Sequence, residues 1–382
     1  MSRAFESFKM YFRKTNKPLW LLMITISVYG LLLVASVTRA FSVNYFKTQL
    51  VAVILGYIAA IILTRLNYRE ISNYWYLVAG FCIFLIVYTL LFGHSASGAS
   101  GVDARAWIKL PGGTTFQPSE LAKIGFMITF PKHLSVLEER GLLRNPLYVF
   151  SLGVHALIPM MLTHMQGDDG AAVIFFCMFL AMSFAAGIQL RYFALVFGAM
   201  LIGAPLAWKY VLADYQKTRL INMMNPEADP LGAGLQQIQG KISIGSGQFW
   251  GRGLFEGPRV ARNSVPIQQS DFIFSVAGEE LGFIGTTLIL LLILSLLITV
   301  LYCARKSSDS LGTYVCFGFF GMIASQTVFN VGMCLSLLPV MGVTLPFFSA
   351  GGSSTACLYL GFGLVQSVYM FQHDTDKVRL RL

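Results

Sequence analysis

The chain has 382 residues, of which 55% are hydrophobic and only 12% charged, with a net charge of +10 and a mean hydropathy of +0.65. Soluble domains are about a quarter charged, so this composition excludes a water-soluble globular protein and points to one membrane domain. The basic excess forms no Lys/Arg stripe with interleaved aromatics, which argues against a nucleic-acid partner.

Ten apolar runs near 20 residues long follow one another: 18–38, 47–64, 74–92, 117–136, 146–164, 171–188, 191–211, 272–302, 311–333 and 347–371. Each is long enough to cross a hydrocarbon core of roughly 30 Å. The predicted fold is therefore all-α and polytopic, a single membrane domain over residues 1–382 with about ten transmembrane helices. Arg13, Lys14 and Lys17 precede the first run, but that run has the length of a full span and does not read as a cleavable signal. With both termini inside, sixteen basic residues fall on inner segments. The short outer segments hold only Arg39, Lys47, Arg105 and Lys109. The six cysteines lie in or at the ends of apolar runs with no CxxC pair, and the five histidines show no zinc spacing.

Two outer loops stand out. The first, about 93–116, is rich in Gly, Ser and Thr. The segment Gln117-Pro118-Ser119-Glu120-Leu121-Ala122-Lys123 then opens the fourth run. Proline in a first helical turn forfeits no hydrogen bond. Glu120 and Lys123, three apart, share a helix face and can pair, either as a structural ion pair or as the polar floor of a site. Gln166-Gly167-Asp168-Asp169-Gly170 links the fifth and sixth runs on the outer side. Its carboxylates are either solvated or placed to hold a divalent cation near a phosphate, with Asp168 the stronger candidate.

The second outer loop, 213–270, has nearly 60 residues, far beyond an ordinary connection. Leu235–Ile244 predicts a short helix and Gly245–Gly257 a glycine-rich turn region. The glycines lack a surrounding βαβ unit, so they are no dinucleotide fingerprint. Lys241, Arg252, Arg259 and Arg262 either meet anionic phosphates or are solvated.

Asp271 ends this loop, where polar chain runs into the apolar sequence Phe-Ile-Phe-Ser-Val-Ala-Gly before Glu279, Glu280 and Gly282. A carboxylate at that boundary is costly to desolvate and usually has a task. Held near the membrane surface, it can meet a lipid-borne substrate. Finally, Pro346–Ser354 opens the last run with small residues, which serve either close helix packing or a polar notch. Neither a short sequence repeat nor a matching pair of interrupted helices is evident, which lowers a transporter reading.

In this order, FQPSELAK, QxDxG, KISIGSG with WGRGLFxG, SDFIF with EELG, and LPFFSAGGSS resemble the SEDS family (shape, elongation, division and sporulation) over nearly the whole chain. The resemblance implies a polytopic peptidoglycan glycosyltransferase that polymerises lipid II on the outer side of the bacterial cytoplasmic membrane, beside a class B penicillin-binding protein that acts as transpeptidase. It matches Asp271 to the family's essential loop aspartate, Glu120 and Lys123 to its fourth-helix pair, and Asp168 to its QPDxG aspartate. It implies attack by a sugar 4-hydroxyl on an α-linked anomeric carbon, with inversion, for which a carboxylate base suffices. The diphosphate leaving group needs positive charge from Lys123, Arg105, loop residues such as Lys241 and Arg252, or a divalent cation, Mg²⁺ or Mn²⁺, held in part by Asp168. A precursor flippase and a non-catalytic scaffold are the competing readings.

The sequence also departs from the family pattern. Gly167 and Asp169 stand where Pro and Leu are expected, and Ile267 and Gln269 replace an acid and an imidazole. Ala106 stands for a basic residue and Ala350 for Tyr.

Overall fold

The computed structural model describes residues 11, 13–94, 105–109, 115–210, 212–229 and 234–372. Much of the 93–116 loop and the terminal residues Arg3, Lys9, Lys377, Arg379 and Arg381 lie outside the described residues. The membrane helices are α1 (Lys17–Thr38), α2 (Tyr45–Arg65), α4 (Trp75–Phe92), α5 (Pro118–Glu139), α6 (Pro146–Met165), α7 (Asp169–Ala185), α8 (Leu190–Tyr210), α12 (Ile273–Lys306), α13 (Ser310–Cys334) and α14 (Gly352–Met370). Short α3 (Tyr68–Asn73) joins α2 to α4. Strands β1 (Ile108–Lys109) and β2 (Thr115–Phe116) form a small antiparallel pair just before α5.

Every apolar run read from the sequence lies on a helix. Seven of these helices (α1, α2, α4, α6, α8, α12 and α13) are long and apolar enough to cross a membrane, so the chain is a multi-pass membrane protein. The other three differ for a physical reason. Helices α5 and α14 are mostly buried among their neighbours, so protein rather than lipid satisfies their polar side chains. Helix α7 has only 17 residues. At the other extreme, α8 buries none of its residues among the described part of the molecule.

Local sequence sets the helix starts. The side chains of Asn16, Asn44, Asn67, Asn145, Asp168 and Asp309 each accept a backbone N–H of the turn that follows. Such caps replace partners that the first turn lacks. Helix α14 packs along α2, α13 lies between α7 and α12, and α5 is enclosed by α4, α13 and α14. All six cysteines are free, five of them buried.

Two expectations are corrected. The eighth run is not one continuous helix. At Gly282 the backbone takes φ 64° and ψ −159°, so α12 is two helices meeting at a break. The last run does not begin its helix at 347, because α14 starts only at Gly352 and the preceding residues form an irregular segment.

The long loop is itself folded. It carries α9 (Asp214–Met224), a 3₁₀ turn (Pro226–Ala228), α10 (Leu235–Gly247) and α11 (Pro258–Ala261). The expected short helix is present and runs on to Gly247, whereas α9 was not foreseen. The glycine-rich stretch docks on the break in α12. Arg252 N–H donates to the Glu279 carbonyl and Gly253 N–H to that of Glu280, both at 2.9 Å. In return Phe283 N–H donates to the Gln248 carbonyl at 2.9 Å. A Cβ on Gly247 would lie 1.9 Å from the Gly278 carbonyl oxygen, so only glycine lets the two backbones meet.

Candidate active site

Asp271 sits in the turn just before α12. Its backbone is held from both sides. Its N–H donates to the Ile267 carbonyl at 3.2 Å, and its carbonyl accepts from the Asn330 amide of α13 at 2.8 Å. The preceding residues are fastened to the irregular segment before α14. Ser349 Oγ donates to the Ser270 carbonyl at 2.5 Å, and Ala350 N–H donates to the Gln269 carbonyl at 2.8 Å. Gln49 of α2 reaches the same segment, donating to the Ser349 carbonyl at 3.1 Å and accepting from Gly351 N–H at 3.0 Å. The small residues at 349–354 therefore tie down the chain beside Asp271.

The Asp271 carboxylate is only half-buried by exposed surface, yet dense protein surrounds it. Burial pushes its pKa up to about 6, against a hydrogen bond from Ser270 and the positive charge of Arg219, both of which lower it. The Cβ position of Gly342 is 3.8 Å from its Oδ2. The segment around Gly342 is pressed from the other side by α7, where a Cβ on Gly170 would lie 2.5 Å from the Met341 carbonyl oxygen. That contact gives the glycine of the QxDxG motif its structural reason.

Glu120 and Lys123 form the expected ion pair, with Nζ 2.9 Å from both carboxylate oxygens. Both are buried in the bundle, at 8% and 2% relative exposure, so Lys123 is matched by Glu120 and turned away from water. Asp168 caps α7 and also accepts from Gln117 Nε2 at 2.7 Å and Ser119 Oγ at 3.0 Å. It joins the start of α7 to the start of α5. With its oxygens committed to three donors, and with no cluster of three or more His, Cys, Asp or Glu among the described residues, this donor set does not fit a protein-held cation.

The other expected phosphate contacts are spread out. Lys241 is exposed on α10, and exposed Arg252 donates to the Ser246 carbonyl at 2.8 Å. Arg259 is turned onto Ser243 and Gln239 of α10. Arg105 is exposed beside the β-hairpin. The cation that acts on Asp271 is Arg219 of α9, which the sequence reading did not single out. It lines a cavity of about 420 Å³ between α6, α7, α9 and residues 339–341, together with His164, Asp169 and Gln216. The rest of the wall is apolar, with Met160, Met161 and Leu220 among it. An apolar chamber with one guanidinium near a raised carboxyl is suited to a lipid-borne anion.

The profile of the FtsW/RodA/SpoVE cell cycle protein family matches residues 16–374. The chain belongs to this family. It is 29% identical to the peptidoglycan glycosyltransferase MrdB of Escherichia coli K12, covering 94% of each chain. It is 32% identical to the stage V sporulation protein E of Bacillus subtilis 168, over 93% of this chain and 98% of that one. Its fold matches a chain solved in work on the coordination of polymerization and crosslinking by a peptidoglycan synthase complex. There the TM-score is 0.79 with 28% identity, over 94% of this chain and 98% of that chain. The SEDS resemblance thus holds over nearly the whole length.

Besides Arg219, two site features escaped the sequence reading, the Asn330 amide and the turn at Gly342, while Ser349 belongs to the segment read there as a packing surface or a polar notch. Asn330 is the one with a visible signal, a second amide one turn after Gln326 in a membrane-length helix.

Proposed function

We propose that the chain is a peptidoglycan glycosyltransferase that polymerises lipid II into glycan strands, with Asp271 as general base. One observation carries the assignment of the base: a backbone-clamped carboxylate at a loop–helix junction, its pKa raised to about 6 by burial and Arg219 nearby. A hydroxyl is a weak nucleophile, and a base with a pKa near the working pH is the most effective acceptor for its proton.

In the step itself, the acceptor 4-hydroxyl oxygen bonds to the donor's anomeric carbon while the bond from that carbon to the diphosphate oxygen breaks. The hydroxyl proton passes to Asp271, and the electron pair leaves with the diphosphate. Inversion in one displacement needs no covalent enzyme intermediate. Positive charge near the leaving oxygen stabilises the transition state, and Arg219 supplies the charge nearest the base. Lys123, paired to Glu120, serves to hold α5 in place.

In this reading residues 1–382 form one membrane domain in the bacterial cytoplasmic membrane. Both termini are cytoplasmic, the 213–270 loop is outside, and a class B transpeptidase is the partner. Support for the partner comes from the synthase-complex setting of the structural neighbour.

The deciding experiment incubates purified protein with lipid II and separates the glycan products. Wild type yields polymer. Asp271→Asn loses about 10²–10⁴-fold, the usual worth of a positioned base. Near-normal polymer from the variant would sink the assignment.

A further inference from the structure

Asp169 is the first residue of α7, and its carboxylate joins three helices. Oδ1 lies 2.6 Å from Nδ1 of His164, in the last turn of α6. Oδ2 accepts from Gln216 Nε2 at 2.7 Å and from the Tyr215 hydroxyl at 3.4 Å, both in the first turn of α9. The helix so held has little else to hold it. Of its eleven residues α9 buries only Asn222. An element with few buried apolar contacts moves easily, so a few hydrogen bonds decide where it rests.

Arg219 lies four residues beyond Tyr215, on the same face of α9, and its guanidinium sits over the Tyr215 ring at 5.6 Å. His164, Asp169, Gln216 and Arg219 line one cavity. The titratable and cationic side chains facing the Asp169 carboxylate are therefore the His164 imidazole and, one turn away, Arg219. The ion pair of Asp214 with Lys217, at 3.6 Å, leaves the Asp214 side chain in solvent and does not tie α9 to the membrane helices.

We propose that Asp169 is a positioning residue for polymerisation: it latches α9 to α6 and α7, so that Arg219 is held over the cavity beside Asp271 to receive a lipid-borne phosphate. Asp168 and Asp169 then divide the work. The first fastens membrane helix to membrane helix, and the second fastens the outer loop to both. The proposal rests on the reading of Asp271 as base, since the value of Arg219's position depends on what it stands beside.

Asp169→Leu keeps the side chain's approximate size and removes every acceptor. In detergent-purified protein, amide exchange across 214–224 rises at least about tenfold, the scale of one hydrogen bond to a charged group. On lipid II, kcat/KM falls by about the same factor, mainly through KM, because a ground-state phosphate contact is lost. Asp169→Asn, which keeps one acceptor, recovers part of the loss. Asp169→Leu combined with Arg219→Gln is no worse than Arg219→Gln alone, since the latch acts only through Arg219. Unchanged exchange at 214–224, or losses that multiply in the double variant, would overturn the latch. Should Asp169→Leu fail to fold, Gln216→Leu cuts the same bond from the loop side and gives the same readings. The parent reading fails separately. If Asp271→Asn polymerises normally, the base is wrong, while exchange at 214–224 still decides the latch.

Discussion

The side-chain amide of Asn330 donates to the main-chain carbonyl of Asp271 at 2.8 Å and to that of Val343 at 2.7 Å. One fully buried group thereby fixes the Asp271 turn and the segment beyond Gly342 to the same point on α13. Asn330→Ala strips the Val343 carbonyl of this donor and leaves the Asp271 carbonyl only the weak Cys334 thiol at 3.6 Å. Leaving such groups unsatisfied costs about 1–3 kcal/mol each, so the variant should melt several degrees lower and lose activity along with stability. Thermal unfolding in detergent checks this, and an unchanged midpoint would show that the amide is dispensable.

Asp271 should give polymerisation an acid limb. Its carboxyl rises from 3.8 to about 6 on folding, so below that pH it carries a proton and cannot accept another. The expected profile of kcat/KM climbs through a pH of about 6 and levels above it. Stability runs the opposite way. Between about 4 and 6 the folded protein binds the proton more tightly than the unfolded chain, so stability falls as pH rises through that window. Asp271→Asn should accordingly melt no lower than wild type at pH about 8, despite being inactive, a trade between activity and stability seen at many sites. A lower midpoint at that pH would show that the charged form is not under strain.

Glu120 and Lys123 should prove strongly coupled. Removing one partner leaves a charge in the interior, at about 3–5 kcal/mol, whereas removing both does not. In a double-mutant cycle on melting temperature, Glu120→Gln with Lys123→Met should lose far less than the sum of the two single changes. Additive losses would mean the pair contributes nothing as a pair.

Gly282→Ala tests the break in α12. At φ 64° and ψ −159° a side chain is strained, and a Cβ there would stand 2.3 Å from the Gly251 nitrogen. Backbone strain alone is worth about 1–3 kcal/mol, and the clash adds to it. The variant should be depleted from membranes or melt well below wild type. Normal expression with a normal midpoint would be inconsistent with loop docking at this point.

The proposed outer placement of the 213–270 loop can be tested in intact cells. Single cysteines at exposed positions such as Lys241, in a background lacking the six native ones, should react with a membrane-impermeant thiol reagent. Labelling only after lysis would invert the topology and remove the basis for polymerisation outside.

The helices were legible because lipid imposes a length and a composition, and the charge pair was legible because three residues make most of a turn. At α5 and α14 composition is a weaker guide, because their polar side chains are satisfied by protein packing and not by lipid. The break at Gly282 was invisible, since apolar sequence continues through it and a glycine in an apolar helix is ordinary. Asp271 was found from its boundary position and from the family resemblance. Arg219 was missed because nothing marks it among the loop's basic residues until α9 folds back on Asp169. Asp169 itself read as a departure from the pattern and as the weaker of two candidate cation ligands, whereas the structure gives it bonds to α6 and to α9.

The docking of the glycine-rich stretch bears on how the molecule is assembled. The first half of α12 carries Glu279 and Glu280, both buried, whose oxygens accept from Arg259 N–H at 2.7 Å and from Ser36 Oγ at 2.5 Å. Without the loop, Glu279 would lose its donor and the helix break its backbone partners, a costly state for buried groups. Folding of this segment and docking of the loop are therefore coupled. A tag or a cut placed between residues 245 and 257 would disturb the folding of α12 itself, not merely trim a surface appendage.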